Sequence, residues 1–309
     1  MPIVIQKDLP AFDILTQENI FVMPTNRAIT QDIRPIEIAI VNLMPTKIET
    51  ETQLLRLLGN TPLQVNITLI NMASHKSKNT CENHMARFYK TFDEIKNLKF
   101  DGMVITGAPV ETMSFEDVDY WEELVSLMNY ARKNVTTTIY ICWGAQAALY
   151  HLYGIDKIPL SQKFFGIFPT VALQPGEMLT KGLSDVFYVP HSRHTAIMEK
   201  EVYKHPELTV LAKSDEAGAT IIKSNDNRSI FITGHVEYDR DTLKKEYFRD
   251  LNKGLPIESP KNYFADNKCD KVNMSWTSTA TILFSNWLNY YVYQATPYDI
   301  EEINSGDDE

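Results

Sequence analysis

The stretch Thr136-Thr-Thr-Ile-Tyr-Ile-Cys-Trp-Gly-Ala-Gln-Ala147 joins two kinds of pattern within twelve residues. Its first part, Thr136–Ile141, is β-branched or aromatic throughout, which predicts a central strand. The residues after it, Gly144–Tyr153, predict a helix that ends at Gly154. Cys142 therefore lies where a strand stops and a helix starts. This is the carboxyl edge of a sheet, where α/β proteins build their sites.

Outward from this stretch, short apolar runs alternate with longer amphipathic ones. This alternation predicts parallel strand pairing with helices on both faces. The fold class is therefore predicted to be α/β with a mostly parallel central sheet flanked by helices. A capping-box pattern at Thr46 and Glu49 opens the first helix of this region. The predicted strands are Ile36–Leu43, Val65–Ile70 and Gly102–Thr106, and the predicted helices are Thr46–Leu58, Met85–Leu98 and Asp117–Lys133.

The second half of the chain is less regular, and no repeat or linker separates it from the first. We therefore expect one domain over residues 1–309, with roughly the first 34 residues and the acidic tail Glu301–Glu309 as extensions. Three aromatic residues near the last helix, Trp276, Phe284 and Trp287, fit either the core or a subunit contact, which leaves a homodimer open. The predicted elements here are strands Phe164–Leu173, Val186–Val189, Glu207–Ala212, Thr220–Ile222 and Ile230–Thr233, and helices Asp239–Leu251 and Thr277–Tyr293.

Composition and charge exclude several classes of function. The 309 residues are 44% hydrophobic and 23% charged, as in a globular protein, and the net charge of −10 argues against nucleic acid and anionic membranes as partners. The sequence contains no run of about 18 apolar residues, so no membrane span is predicted. Neither GxxxxGK[ST] nor a GxGxxG after a strand occurs, which argues against nucleotide hydrolysis and dinucleotide cofactors. Three widely spaced cysteines, without a signal-peptide pattern, predict a reduced cytoplasmic location.

Cys142 is the candidate nucleophile. The partial positive charge of the helix N-terminus beside it favours thiolate over thiol. Gly144 is predicted to permit the tight turn that directs the sulfur outward. The alternative is a buried cysteine that serves as a small hydrophobic side chain.

A candidate base follows another predicted strand, in Ile230-Phe-Ile-Thr-Gly-His-Val-Glu-Tyr-Asp239. His235 comes directly after the strand, and Glu237 lies two residues further on. In extended backbone, side chains at i and i+2 point the same way, so Glu237 is placed to hold the imidazole and stabilise its cation. The alternative is a surface pair near a turn.

His191 and His194 lack an evident third ligand, so no metal site is predicted.

Together these segments resemble the class I glutamine amidotransferase superfamily, whose members use a cysteine at a strand-to-helix elbow and a distant His-x-Glu. The superfamily pattern Gly-x-Cys-x-Gly has Tyr140 at its first glycine here, which argues against glutaminase activity. A more specific resemblance is to the homoserine O-acyltransferases that begin methionine biosynthesis, of the succinyltransferase type of fold. The matching blocks are Asn42–Glu51, Thr106–Glu111, Cys142–Ala147, His191–His194 and Gly234–Glu237.

The resemblance implies a role for each matched residue. Cys142 corresponds to the acyl-accepting nucleophile, His235 to the general base and Glu237 to its partner. Glu111 falls at the position that sorts acetyl from succinyl donors. Four further positions are implied, one near the acyl site (Lys47) and three in substrate binding (Lys163, Ser192 and Arg249).

Two charged residues suit the acceptor, homoserine, which is a zwitterion. Glu246 and Arg249 are three apart on a predicted helix and so share a face. Arg249 fits a carboxylate through a bidentate fork, and Glu246 fits an ammonium group. A surface ion pair is the alternative for both, and without the resemblance Lys163 is an ordinary solvated lysine.

The expected reaction is acetyl transfer from acetyl-coenzyme A, a co-substrate with no bound cofactor, to the hydroxyl of L-homoserine through a Cys142 thioester. The Trp143 N–H, the Gly107-Ala108 turn and the Lys47 charge are the expected oxyanion partners. A second carboxylate about 4 Å from Glu111 costs ~4 kcal/mol at an effective dielectric of 20, which disfavours succinyl. Three alternatives stay open: succinyl-coenzyme A as donor, a glutaminase or cysteine hydrolase, and a catalytically silent binding protein.

Overall fold

The computed structural model describes residues 3–18, 22–24, 34–59, 61–75, 80–266 and 268–303. The strands are β1 (Ile3–Ile5), β2 (Val22–Pro24), β3 (Ile36–Val41), β4 (Val65–Ile70), β5 (Tyr89–Lys90), β6 (Phe100–Ile105), β7 (Val135–Ile141), β8 (Lys157–Ala172), β9 (Val186–Ile197), β10 (Leu208–Ser214), β11 (Gly218–Ser224) and β12 (Ser229–Ile232). The helices are α1 (Pro10–Gln17), α2 (Lys47–Leu58), α3 (Glu82–Phe88), α4 (Phe92–Ile95), α5 (Trp121–Asn134), α6 (Trp143–Tyr153), α7 (Glu199–Lys204), α8 (Thr242–Asn252) and α9 (Thr277–Asn286).

Within these ranges the twelve strands form one sheet, in the order β2-β1-β4-β3-β6-β7-β12-β11-β10-β8-β9, with β5 beside β4. Every pair from β2 across to β12 is parallel. The pairs from β12 across to β9 are antiparallel. The predicted fold class, α/β with a mostly parallel central sheet, is confirmed.

Helices cover both faces of the parallel part, because its strands alternate apolar side chains between two cores. On β3, Ile38 and Ile40 pack into one core with α2, α9 and the helical turns that follow α9. Ala39 and Val41 face the opposite core, which holds the buried residues of α5 and α6. The strands are therefore buried on both faces. Because they are parallel, their carboxyl ends lie along one edge of the sheet, where the loops of the site begin.

Two expectations for the first half are wrong. The predicted helix Met85–Leu98 is split into α3, the short strand β5 and α4, because Tyr89 turns inward to hydrogen-bond the buried Glu51 at 2.5 Å. The capping box predicted at Thr46 does not form, since its side chain caps no N–H of α2. A capping box does open α4, where Glu94 and Thr91 bond each other's backbone.

The second half departs more strongly from prediction. β8 and β9 run far beyond the predicted strands and form a long antiparallel hairpin, with a register shift between Pro159 and Phe164. The predicted helix Thr277–Tyr293 changes from α9 to a π-helix at Trp287. Trp276, Phe284 and Trp287 are fully buried within the chain and belong to its core. Across the described ranges, no helix combines the length and the apolar character that crossing a membrane requires.

Candidate active site

Cys142 lies at a strained elbow between β7 and α6. Its φ of 50° and ψ of −113° are rare for a residue with a side chain, and such strain is concentrated at functional sites. Its N–H donates to the Ile232 carbonyl at 2.8 Å, which ties the elbow to β12. The positive φ is at Cys142 itself. Gly144, which was expected to permit the turn, is instead required for close packing against β6. A Cβ at this position would stand 2.6 Å from the Thr106 carbonyl oxygen.

The register of two parallel strands brings His235 to this elbow. β12 pairs with β7 so that Ile232 lies opposite Ile141, and the residues that follow each strand emerge side by side. The Cys142 side chain lies close enough to His235 to raise the pKa of the imidazole. A Cβ at Gly107 would stand 3.3 Å from both the Cys142 Cβ and the His235 Cε1, which is tighter than most Cβ contacts, so Gly107 packs closely against both residues. The two segments, far apart in sequence, thus meet in space.

Glu237 completes the arrangement. Its Oε1 lies 2.6 Å from Nδ1 of His235, and both side chains are buried. The contact forms across a turn, in which the Tyr238 N–H donates to the His235 carbonyl at 3.3 Å, and not along the extended backbone that we predicted. Burial by itself lowers the pKa of His235, but the charges of Cys142 and Glu237 outweigh it and raise that pKa well above its usual range. The charges beside His235 therefore favour its protonated form.

The groups around the elbow suit a developing oxyanion. Trp143 is the first residue of α6, so its N–H is among those that have no partner within the helix. Gly107, at the end of β6, lies against Cys142, as described above. Two N–H groups that converge on an acyl carbonyl are the usual composition of an oxyanion hole.

Lys47 begins α2 on the same edge of the sheet. Its Nζ donates to the Asn42 carbonyl at the end of β3, and it lies 5.7 Å from the centre of the Tyr89 ring. Burial lowers the pKa of Lys47 to about 8, although the Glu51 carboxylate one turn along the helix favours its charged form. The buried Glu51 also accepts from Tyr89 and lies 3.0 Å from Nε2 of His84. Lys47 is thus held in a polar network inside the protein.

A cluster of charges lies on the other flank, between the β8–β9 hairpin and α8. The Lys163 Nζ donates to Glu246 at 2.7 Å and to Asp250 at 3.0 Å. The Ser192 hydroxyl donates to Glu246 at 2.8 Å. The structure thus brings together three predicted positions that come from three different elements.

Arg249 is held at the edge of this cluster. Its Nε donates to Asp250 at 2.7 Å, and Nη2 lies 3.5 Å from Glu246. The guanidinium side chain is 55% exposed, which leaves it accessible to an incoming carboxylate. Burial raises the pKa of Asp250, but Arg249 and Lys163 outweigh it and lower the pKa below its usual range. Asp250 was missed by the sequence reasoning, although it shares a helix face with Glu246 four residues earlier.

Glu111 lies between the two groups of residues. Its carboxylate accepts the backbone N–H of His194, and it is close enough to His235, Lys163 and Glu246 to feel their charges. Burial raises the pKa of Glu111, and the His194 N–H partly offsets this effect. Glu111 is thus within electrostatic reach of both the His235 imidazole and the charged cluster.

Three more residues of the site were not predicted. Tyr238 stacks on the His235 ring, and Arg193 is buried with its Nη2 donating to the Ala217 carbonyl at 2.7 Å. His191 is fully buried and packs in T-shaped contacts against the stacked rings of Phe164 and Phe168. Its pKa lies well below its usual range because of burial and the nearby Arg193 and His235 charges. A neutral His191 cannot compete with His235 for protons.

Among the described residues, no group of three or more His, Cys, Asp or Glu could hold a metal ion.

A family model described as homoserine O-succinyltransferase matches residues 2–298. The chain belongs to this homoserine O-succinyltransferase family. A homoserine O-acetyltransferase from Acetivibrio thermocellus is 58% identical over 304 residues, covering 98% of this chain and 100% of the relative. A second protein of that name, from Clostridium acetobutylicum, is 58% identical over 301 residues, covering 97% of this chain and 100% of the relative. The family resemblance expected from the sequence blocks is confirmed.

Solved structures that resemble this member of the family share its fold. A glutamine amidotransferase from Thermotoga maritima has 11% sequence identity and a TM-score of 0.53, covering 83% of this chain and 98% of that chain. A glutamine amidotransferase from Methylobacillus flagellatus has 13% identity and a TM-score of 0.52, covering 83% of this chain and 95% of that chain. The predicted amidotransferase-like fold is confirmed.

Proposed function

We propose that this enzyme transfers an acetyl group from acetyl-coenzyme A to the side-chain hydroxyl of L-homoserine, through a thioester on Cys142. The observation that carries this proposal is the buried contact of Cys142 with His235 and of His235 with Glu237, in a chain 58% identical to proteins named for this activity. The product is O-acetyl-L-homoserine, a precursor for methionine biosynthesis. We place the reaction in the cytoplasm, where Cys81, Cys142 and Cys269, all free in this structure, stay reduced.

The first half-reaction acylates the enzyme. The Cys142 thiolate attacks the thioester carbonyl, and the Trp143 N–H and the Gly107-Ala108 turn stabilise the oxyanion, with Lys47 adding positive charge. Each such donor is worth about 3–4 kcal/mol in the transition state. The carbon–sulfur bond to coenzyme A then breaks, and the leaving thiolate takes the proton of the His235 imidazolium.

Acylation itself prepares His235 to act as a base. In the free enzyme, the negative charge on Cys142 helps to hold the proton on the imidazole. A thioester at Cys142 carries no charge, so this contribution disappears once the acyl group is attached. The pKa of His235 therefore falls in the acyl-enzyme, and the neutral imidazole accepts the proton of the homoserine hydroxyl. The homoserine oxygen forms a bond to the acetyl carbon, the bond from that carbon to the Cys142 sulfur breaks, and the thiolate returns beside the His235 imidazolium. General-base help of this kind contributes roughly 10²–10⁴-fold to the rate.

The charged cluster suits the zwitterionic end of homoserine. We assign the carboxylate of the acceptor to Arg249, whose guanidinium is partly exposed, and its ammonium group to Glu246. Lys163 and Ser192 hold Glu246 in place through hydrogen bonds of 2.7 and 2.8 Å. In this arrangement, the hydroxyl of the acceptor extends toward Cys142 and His235.

Glu111 is assigned to donor selection. Its carboxylate is close enough to His235 and to Lys163 and Glu246 to feel their charges, and we place the terminal carboxylate of a succinyl group beside it. Like charges about 4 Å apart cost ~4 kcal/mol at an effective dielectric of 20, which is nearly a thousandfold against succinyl. Succinyl-coenzyme A is the second candidate donor, because the description of the matching family names that acyl group.

Mass spectrometry of the protein mixed with acetyl-coenzyme A tests the covalent step. We expect one acetyl group on Cys142, and its loss when L-homoserine is added. The Cys142→Ser variant should carry no labile acetyl group and have no measurable activity, whereas Cys81→Ser, at an exposed cysteine, should behave like the wild type. Intact activity in Cys142→Ser, with no adduct on the wild type, would refute the thioester mechanism. Release of ammonia from glutamine would favour the amidotransferase alternative.

A further inference from the structure

A cavity of about 210 Å³ opens at the carboxyl edge of the sheet, beside the nucleophile. It lies over the loops that follow β3, β4 and β6, whereas Cys142 follows β7, the next strand along. The charged cluster of Lys163, Glu246 and Asp250 is on the other flank, under the β8–β9 hairpin. The lining residues are Asn42, Leu43, Met44, Pro45, Lys47, Asn71, Met72, His75, Met85, Pro109, Val110 and Tyr120.

One short loop contributes both to the cavity wall and to the surroundings of the nucleophile. Gly107, at the start of this loop, lies against Cys142 and His235. Pro109 and Val110 line the cavity, and Glu111 turns toward the charged cluster on the opposite side. The cavity and the nucleophile thus lie against two parts of the same loop, and none of the residues of the charged cluster lines the cavity.

The walls indicate what kind of chain fits. Three methionines (Met44, Met72 and Met85) and two prolines are among the twelve lining residues, and methionine adapts its shape to irregular ligands. Asn71 and Lys47 supply polar groups at the margin. Pockets that enclose a whole drug-sized ligand measure about 300–1,000 Å³, so this smaller cavity suits one segment of a longer molecule.

We propose that this cavity binds the pantetheine arm of the acyl-coenzyme A donor. The arm is a narrow chain of amide groups, methylenes and a dimethyl-substituted carbon, which matches a largely apolar cavity with a few polar groups. The inference rests on the proposed acyl transfer and deepens it, because the arm and homoserine reach Cys142 from opposite sides. The nucleotide end of the donor then lies outside the cavity, in solvent.

Filling the cavity tests this assignment. Met44→Trp and Met85→Trp introduce a large ring from two different walls, at half-buried positions. The matched control is Met178→Trp, at an exposed methionine that does not line the cavity. Coenzyme A affinity is measured by calorimetry, and transfer to homoserine is assayed with acetyl-coenzyme A and with S-acetyl-N-acetylcysteamine, which lacks most of the arm.

We expect both cavity variants to raise the Kd of coenzyme A and the KM of acetyl-coenzyme A about tenfold or more. Their kcat/KM with the short thioester, and their KM for homoserine, should stay near the wild-type values, which would exclude unfolding as the cause. An unchanged coenzyme A affinity, or an equal loss with both donors, would overturn the assignment. A wild-type protein that binds coenzyme A but acetylates no homoserine would instead refute the proposed function, and calorimetry would still decide the arm site.

Discussion

Tyr238 lies face to face with the imidazole of His235, with ring centroids 4.1 Å apart and planes 11° from parallel. The backbone carbonyl of Tyr238 accepts the indole N–H of Trp276 at 2.8 Å, which ties this residue to a buried aromatic cluster. The imidazole is thus fixed at its edge by Glu237 and on its face by Tyr238. An aromatic face also attracts a cation, so this stacking favours the imidazolium form.

Replacing Tyr238 with Leu should lower kcat without changing either KM. Loss of the stacked ring removes about 0.5–2 kcal/mol of cation–π attraction and frees the imidazole to rotate, so we expect a fall of about two- to thirtyfold. Tyr238→Phe keeps the ring and should stay near the wild-type rate. Steady-state kinetics with both variants, and with Tyr203→Leu as an exposed control, check this expectation. Equal losses in the Phe and Leu variants would point to the hydroxyl group instead.

Glu237→Gln tests the charge that holds His235. Without the carboxylate, the pKa of His235 falls, the imidazolium becomes scarcer at neutral pH and the thiolate loses its partner. We expect kcat/KM to fall roughly 10²–10⁴-fold. The rate at which iodoacetamide alkylates Cys142 should reach its midpoint at a higher pH than in the wild type. Glu201→Gln, on an exposed surface, serves as the control, and an unchanged alkylation profile in Glu237→Gln would contradict the role of Glu237.

The lowered pKa of Lys47 predicts an alkaline limit to catalysis. With a pKa of about 8, the Lys47 ammonium is charged below pH 8 and loses its proton as the pH rises through that value. If this charge stabilises the oxyanion, kcat/KM for acetyl-coenzyme A should decline above pH 8. Arginine stays charged throughout this range, so Lys47→Arg should move the decline to a higher pH.

The control for Lys47 is Lys245→Arg, because Lys245 is an exposed lysine that pairs with Glu49 at 2.9 Å. Its pH profile should match that of the wild type. A profile that declines near pH 8 in Lys47→Arg as well would assign the alkaline limit to another group.

The meeting of Cys142 and His235 could be predicted because it depends on a rule of backbone geometry. Cys142 directly follows β7, His235 comes three residues after the end of β12, and the ends of parallel strands lie along one edge of the sheet. The pairing of Ile141 with Ile232 brings those two ends together. The alternation of strands and helices was likewise enough to predict the parallel half of the sheet. Local pattern and tertiary structure agree in this part of the chain.

The remaining parts of the site depend on contacts that no local pattern encodes. The β8–β9 hairpin positions Lys163 and Ser192, but its length comes from cross-strand pairing of segments that look irregular in sequence. Tyr89 breaks a predicted helix because it bonds a carboxylate on another element. Asp250 looks like a surface residue until Lys163, 87 positions away, is seen to pair with it.

Two substitutions at Glu111 distinguish the charge of this side chain from its size as the cause of donor choice. The Glu111→Gln variant removes the charge and keeps the volume, whereas Glu111→Gly removes both. If repulsion dominates, Glu111→Gln should abolish most of the preference for acetyl- over succinyl-coenzyme A. A cost of ~4 kcal/mol corresponds to a preference of roughly a thousandfold. If the size of the side chain dominates, only Glu111→Gly should abolish this preference. The ratio of kcat/KM for acetyl- and succinyl-coenzyme A in the three proteins decides between them. Retention of the full acetyl preference in Glu111→Gly would show that neither property of this side chain selects the donor.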